Sequence, residues 1–157
     1  MKDIEDPARA TADQRALERL TEEYAHAADR RDPAGAASLF TEDGLLTLFM
    51  DGAEGQPTEQ HSGRSAIAAA IASLSHYDAT THFLGQRSFD VAGQHALGET
   101  YCMAYHVRRK PGVLVSVVVA IRYLDRCVRS DGRWLFSERR LVADWTDRSE
   151  HRQRDRR

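Results

Sequence analysis

Asp29 and His82 are the two residues in this chain best suited to chemistry together. A carboxylate held against one imidazole nitrogen fixes the tautomer of the ring and leaves the other nitrogen free to take a proton. The base of such a pair near neutral pH is the imidazole, because a free imidazole titrates at about 6.5 and a free aspartate at about 3.9. An ionised aspartate beside it favours the imidazolium that forms as the proton is taken. The chemistry would be removal of a proton next to a carbonyl or a leaving group, a contribution on the order of 10²–10⁴ in rate.

Two further residues could complete such a site. His106 ends the run Tyr101-Cys102-Met103-Ala104-Tyr105-His106, in which alternation puts it on one strand face with Cys102 and Ala104. Small residues leading to a histidine suit a pocket wall, where it would be a general acid toward a departing hydroxyl. The competing reading is a strand-end histidine in solvent beside Arg108 and Arg109. Tyr24 lies on the apolar stripe of a helix, where its hydroxyl either reaches a substrate oxygen or serves core packing. His26, His76 and His95 read as surface or loop residues, and His61 precedes a turn. A metal site from His61, His82 and His106 is conceivable, but no HxH or HxxxH pair supports it, so no metal and no cofactor is expected. The chain contains no Gly-rich phosphate loop and no GxSxG elbow.

The elements that must position these residues change character midway. Residues 1–11, with Pro7 and alternating charges, read as a loose lead-in. From Asp13, Leu17, Leu20 and Tyr24 fall at helical spacing, closing at Asp29. Asp32-Pro33 has the chemistry of an N-cap followed by proline in the first turn, opening a short helix. Thr41-Glu42-Asp43-Gly44 breaks it before a strand from Leu45 to Met50. A short strand around Glu59-Gln60-His61 precedes a third helix from Arg64 to Leu74. Four long strands then follow: Thr80 to Val91, Ala96 to Arg109, Val113 to Arg126 and Trp134 to Trp145. Ala92-Gly93, Lys110-Pro111-Gly112 and Ser130-Asp131-Gly132 punctuate them as hairpin turns. Helices first and a meander last predict an α+β fold, with three N-terminal helices on a curved, mostly antiparallel sheet. Val113 to Val119, apolar on both faces, should be central.

Bulk properties narrow the partners. At 157 residues the chain is one domain's worth, large enough to bury a core without staples. The net charge of −2 gives no pull toward nucleic acid or membrane, and the longest apolar run is too short to cross a bilayer. The polar, acidic start argues against a secretory signal, so a cytoplasmic protein with reduced Cys102 and Cys127 is expected. Cys102 reads as a small core residue rather than a nucleophile. Arg122 and Arg140, in buried-looking strands, are explained by ion pairs with Asp125, Glu138 or Asp144. Residues 148–157 carry five arginines and no apolar anchor, as expected of a disordered basic tail.

The element order resembles the nuclear transport factor 2-like fold, and within it the SnoaL-like branch. The motifs are Ala28-Asp29-Arg30-Arg31-Asp32 before Leu39-Phe40-Thr41-Glu42-Asp43-Gly44, then Gly63-Arg64 and Thr81-His82. Arg122-Tyr123-Leu124-Asp125 leads to Arg129, Gly132, Trp134 and finally Asp144-Trp145. The resemblance spans residues 12–147 and implies a cone-shaped barrel around one pocket. It places Asp29 and His82 where scytalone dehydratase and lindane dehydrochlorinase carry an Asp–His dyad, and His106 where the former has a second pocket histidine. Gln86 stands where many relatives have asparagine. The resemblance implies a cofactor-independent lyase or isomerase, most like a dehydratase, acting on a small hydrophobic cyclic or polyketide-like substrate. A polyketide cyclase, a ligand-binding protein and the small subunit of a ring-hydroxylating dioxygenase are the alternatives on the same fold. The outer sheet face would need cover, which a homodimer or homotrimer supplies.

Overall fold

The computed structural model describes residues 7–52 and 55–152. Helix α1 (Pro7–Asp29) is followed by α2 (Pro33–Ser38), strands β1 (Phe40–Phe49) and β2 (Glu59–Ser62), and α3 (Arg64–Ala72), which ends in a 3-10 turn (Ser73–His76). Four long strands complete the chain: β3 (Ala79–Ala92), β4 (His95–Lys110), β5 (Val113–Ser130) and β6 (Arg133–Arg152). They form one six-stranded sheet in the order β2-β1-β6-β5-β4-β3. Only the β1–β6 pairing is parallel; the other four are antiparallel. This is the α+β cone that the alternation of helices and long strands predicts, with β5 inside the sheet.

Local chemistry explains the turns. Asp32 caps α2 by accepting from the Gly35 N–H at 2.8 Å, with Pro33 in the first turn. Asp131 and Gly132 both have positive φ, 50° and 75°, the two-residue hairpin geometry whose twist matches that of the flanking strands.

Several boundaries differ from the sequence reading. The loose lead-in expected over residues 1–11 is in part helix, because α1 begins at Pro7, a residue compatible with a first turn. Residues 1–6 lie outside the described ones. Thr41 to Gly44 does not interrupt the chain but belongs to β1, where the irregular pairing between Phe40 and Leu45 absorbs the polar residues. Of the basic tail expected over 148–157, residues 148–152 continue β6 to Arg152, and residues 153–157 lie outside the described ones. Backbone pairing to β5 and a 3.1 Å Ser116–Ser149 hydroxyl contact hold that segment without apolar anchors.

α1 lies across β3. Gln14 donates to the Phe89 carbonyl at 2.9 Å, Glu22 pairs with Arg87 at 2.8 Å, and the last turn brings Asp29 to His82. Its first half is anchored by buried Asp13, which accepts from Trp134 Nε1 at 3.1 Å and pairs with Arg129. In the core, Tyr24, Tyr123 and Phe136 surround the fully buried guanidinium of Arg139, and Phe40 packs on the Tyr24 and Phe136 rings. That group lies 4.1–4.4 Å from three ring centroids and makes two 2.8 Å bonds to Asp125. Burial alone would make Arg139 easier to deprotonate, but the Asp125 charge and hydrogen bonds hold its pKa above the usual arginine value.

Removing one partner of such a pair leaves an uncompensated buried charge. Arg139→Met or Asp125→Leu alone should therefore cost about 3–5 kcal/mol, and the double substitution distinctly less than their sum. Urea unfolding of the four proteins measures this directly. Simple additivity would show that the two groups do not act as a pair.

Candidate active site

A carboxylate at a helix C-terminus faces the negative end of the helix dipole and needs compensating donors. Asp29 has them. His82 Nδ1 lies 2.7 Å from Oδ1, the His82 backbone N–H donates to Oδ2 at 2.9 Å, and the Thr80 hydroxyl donates to Oδ1 at 3.0 Å. Burial raises the Asp29 pKa, but the His82 ring and backbone hydrogen bonds and the Thr80 hydroxyl outweigh it and hold it below the ordinary value. An ionised carboxylate only accepts, so Nδ1 carries the ring proton and Nε2 is left with its lone pair. His82 lines the cavity while its side chain is only 7% exposed.

Arg31 completes this arrangement. It has φ 58°, a left-handed conformation just past the helix end, and its Nη1 donates to the Ala28 carbonyl at 3.0 Å. Nη1 also donates to Thr80 Oγ1 at 2.7 Å, and Nη2 to the Tyr77 carbonyl at 3.3 Å. Because guanidinium only donates, the Thr80 oxygen must accept from Arg31 and its own proton is directed to Asp29.

His106 is opposite Thr80 on β3 and Val117 on β5. Its ring is 5.9 Å from that of His82, nearly perpendicular, and 4.8 Å from Tyr77. Burial first, then electrostatic repulsion by the neighbouring His82 ring and by the Arg31 charge, push its pKa down to about 4 despite a hydrogen bond to the Val117 backbone. Nδ1 is buried without a hydrogen-bond partner. His106 therefore lines the pocket wall rather than solvent, and at neutral pH it is a neutral ring that can donate one N–H, not a charged acid. Tyr24 is 4% exposed and also lines the cavity. Burial pushes its hydroxyl up to about 12, so it stays protonated.

The cavity itself measures about 320 Å³. Leu46, Leu48, Ile71, Val119, Ile121 and Leu141 give it apolar walls. His82, His106 and Tyr77 provide polar groups, and Glu59 and His61 on β2 reach it as well. Among the described residues no histidine, cysteine or carboxylate cluster is arranged to hold a metal ion.

Sequence reasoning missed Arg31 as a positioning group, and missed Tyr77 and the Glu59–His61 pair. Arg31 carried a signal in standing immediately after a helix end whose aspartate needed donors. Tyr77 carried none, being one aromatic in a polar loop. Gln86 is exposed, because an irregularity in β3–β4 pairing between Leu84 and Arg87 turns it outward. Arg122 pairs with Asp144 at 2.7 Å, as expected. Arg140 instead stacks on Phe49 at 4.6 Å, since Asp125 is engaged by Arg139 and Glu138 by Arg126. Cys102 and Cys127 are both buried free thiols, pushed up to about 12 chiefly by burial.

The depressed His106 pKa has a consequence for stability. The unfolded chain binds a proton at this residue below pH 6.5, whereas the folded chain resists doing so until about pH 4. Its contribution is thus fully present above pH 6.5 and is lost as the pH falls through that window. Histidine ring NMR should give a His106 midpoint near 4, and His106→Gln should flatten the stability profile between pH 6.5 and 4. A midpoint at the ordinary histidine value would overturn the buried, uncharged assignment.

Solved structures share this architecture at low sequence identity. A protein from Novosphingobium aromaticivorans assigned provisionally as a scytalone dehydratase is 23% identical, with 92% of this chain and 91% of that one covered and a TM-score of 0.72. A type 2 hexachlorocyclohexane dehydrochlorinase (LinA) is 19% identical, covering 92% and 93%, with a TM-score of 0.76. The β subunit of a provisionally assigned aromatic-ring-hydroxylating dioxygenase from N. aromaticivorans is 19% identical, covering 87% and 92%, with a TM-score of 0.70. Such identities establish the fold alone. No curated protein matches the sequence. The model of the SnoaL-like domain matches residues 9–140, most of the described structure, and the chain accordingly belongs to the SnoaL-like domain family.

Proposed function

We propose that this protein is a cofactor-independent lyase or isomerase, most like a dehydratase, in which His82 is the base and Asp29 its orienting partner. The observation that carries the reading is the 2.7 Å contact between His82 Nδ1 and Asp29 Oδ1 in the wall of an open, largely apolar cavity. A ligand-binding protein or a dioxygenase small subunit has no need of an ion-pairing dyad there, so the geometry favours catalysis over that alternative. The relatives of matching fold that are described as a dehydratase and a dehydrochlorinase point the same way.

The substrate class that suits the walls is a small hydrophobic cyclic or polyketide-like compound. In an elimination, His82 Nε2 takes the proton from carbon, the C–H electrons form the double bond, and the C–O bond breaks. The departing oxygen needs a proton, and the imidazolium just formed on His82 can return it, giving water and restoring the neutral ring. His106, uncharged, would hydrogen-bond to that oxygen as it leaves by turning its one N–H from the Val117 backbone to the substrate, with the Tyr24 hydroxyl as a second donor. Asp29 supplies charge opposite the transient imidazolium throughout. A cyclisation by the same base is the second reading; it uses the first proton removal and replaces C–O cleavage with carbon–carbon bond formation.

Against a panel of cyclic β-hydroxy ketones, His82→Ala should lower turnover by about 10²–10⁴. Asp29→Asn should also lower it severely, since the amide oxygen still accepts the ring N–H but supplies no charge. Melting temperature and ligand affinity of His82→Ala should stay close to the parent. Turnover near the parent level in His82→Ala would sink the assignment.

A homo-oligomer is also proposed, on the apolar outer face of the sheet. Phe83, Met103, Ala120 and Trp145 are successive cross-strand partners over four strands, and Phe83 and Trp145 are 68% and 53% exposed. Tyr101 and Tyr105 extend the same face. Sedimentation should show a dimer or trimer at micromolar concentration, and Phe83→Asp should shift it toward monomer. A strict monomer in the parent protein would rule the assembly out.

A further inference from the structure

Glu59 and His61 are two residues apart on β2, so their side chains leave the same face of the strand. Both line the cavity that holds His82 and His106. Glu59 Oε2 lies 3.0 Å from His61 Nε2, with side chains 56% and 21% exposed, which puts the pair at the mouth of the cavity rather than in its depth. The carboxylate only accepts, so Nε2 carries the shared proton, and in the uncharged tautomer Nδ1 is left as an acceptor. The mouth therefore presents acceptors and a negative charge. No lysine or arginine lines this cavity among the described residues, so no permanent cation there offsets a second negative charge.

From this we infer that Glu59 and His61 form a recognition subsite that takes a neutral, hydroxyl-bearing end of the substrate and rejects a carboxylate or phosphate at that position. A hydroxyl donates to Glu59 or to His61 Nδ1. An anionic substituent meets like charge and leaves acceptors facing acceptors. Apolar walls from Leu46, Leu48 and Leu141 separate this subsite from the His82 end, so the substrate is apolar in the middle and polar at both ends. The inference rests on the cavity being the substrate site, as proposed above, but not on His82 acting as the base.

Two bicyclic probes test it by calorimetry, with the ring nitrogen resonances of His61 reporting on location. The parent should bind 2,6-dihydroxynaphthalene at least roughly tenfold more tightly than 6-hydroxy-2-naphthoate, and the diol should shift the His61 signals. Glu59→Gln removes the charge and adds an amide donor, while its oxygen still accepts from Nε2. That substitution should narrow or invert the preference, by a gain for the naphthoate and a loss for the diol. His82→Ala should keep the parent preference. An unchanged preference in Glu59→Gln, or failure of the diol to bind and shift His61, overturns the subsite. A fully active His82→Ala protein in which Glu59→Gln still swaps the preference would discard the catalytic reading and leave the subsite standing.

Discussion

The enclosed guanidinium of Arg139 is the constraint around which the cone is built. A charge without solvent contact must keep both its counterion and its ring neighbours in place, since any of them moving away leaves it exposed to a low-dielectric interior. Its partners come from different elements: Tyr24 from α1, Tyr123 and Asp125 from β5, and Phe136 from its own strand β6. Tyr24 and Tyr123 also line the cavity. The surface on which a ligand would rest is therefore the upper side of a layer whose lower side solvates a buried cation. Such a layer resists both collapse into the cavity and expansion into the core.

The dyad hangs on a second, smaller arrangement at the same helix. Asp29 sits where the dipole of α1 opposes a carboxylate, and three donors plus the Arg31 cation offset that. Because the His82 backbone N–H as well as its ring donates to one carboxylate, the strand and the side chain are held together. The ring is consequently pre-oriented before any substrate enters, which is the property that a proton-abstracting base requires. Burial first, then the neighbouring His82 and the Arg31 charge, keep His106 from protonating, so the two histidines of the site differ in role through environment alone.

Much of this was legible in the residues. Period-2 runs with glycine-containing turns marked the four long strands, and the helical stripe through Leu17, Leu20 and Tyr24 marked α1. Asp29, His82 and His106 stood out through the family resemblance, since residue type and place in an element alone left each open to an ordinary structural role. What was not legible depends on tertiary partners. Arg139 and Asp125 are fourteen positions apart on neighbouring strands, and alternation cannot distinguish a buried ion pair from two solvated charges. The charge state of His106 follows from its surroundings and not from its neighbours in sequence. The continuation of β6 to Arg152 is carried by backbone hydrogen bonds, to which an arginine-rich composition is blind.

The irregularity in β3 between Leu84 and Arg87 makes that strand two devices joined in one. Before it, the even-numbered residues Thr80, His82 and Leu84 turn inward; after it, the odd-numbered Arg87, Phe89 and Val91 do. Phe89 then packs against Gly98, where a Cβ would lie 2.4 Å from the ring. The His82 half and the Phe89 half thus turn residues of opposite parity inward, each in its own register against β4. A strand of unbroken alternation would put either His82 or Phe89 on the outer face of the sheet.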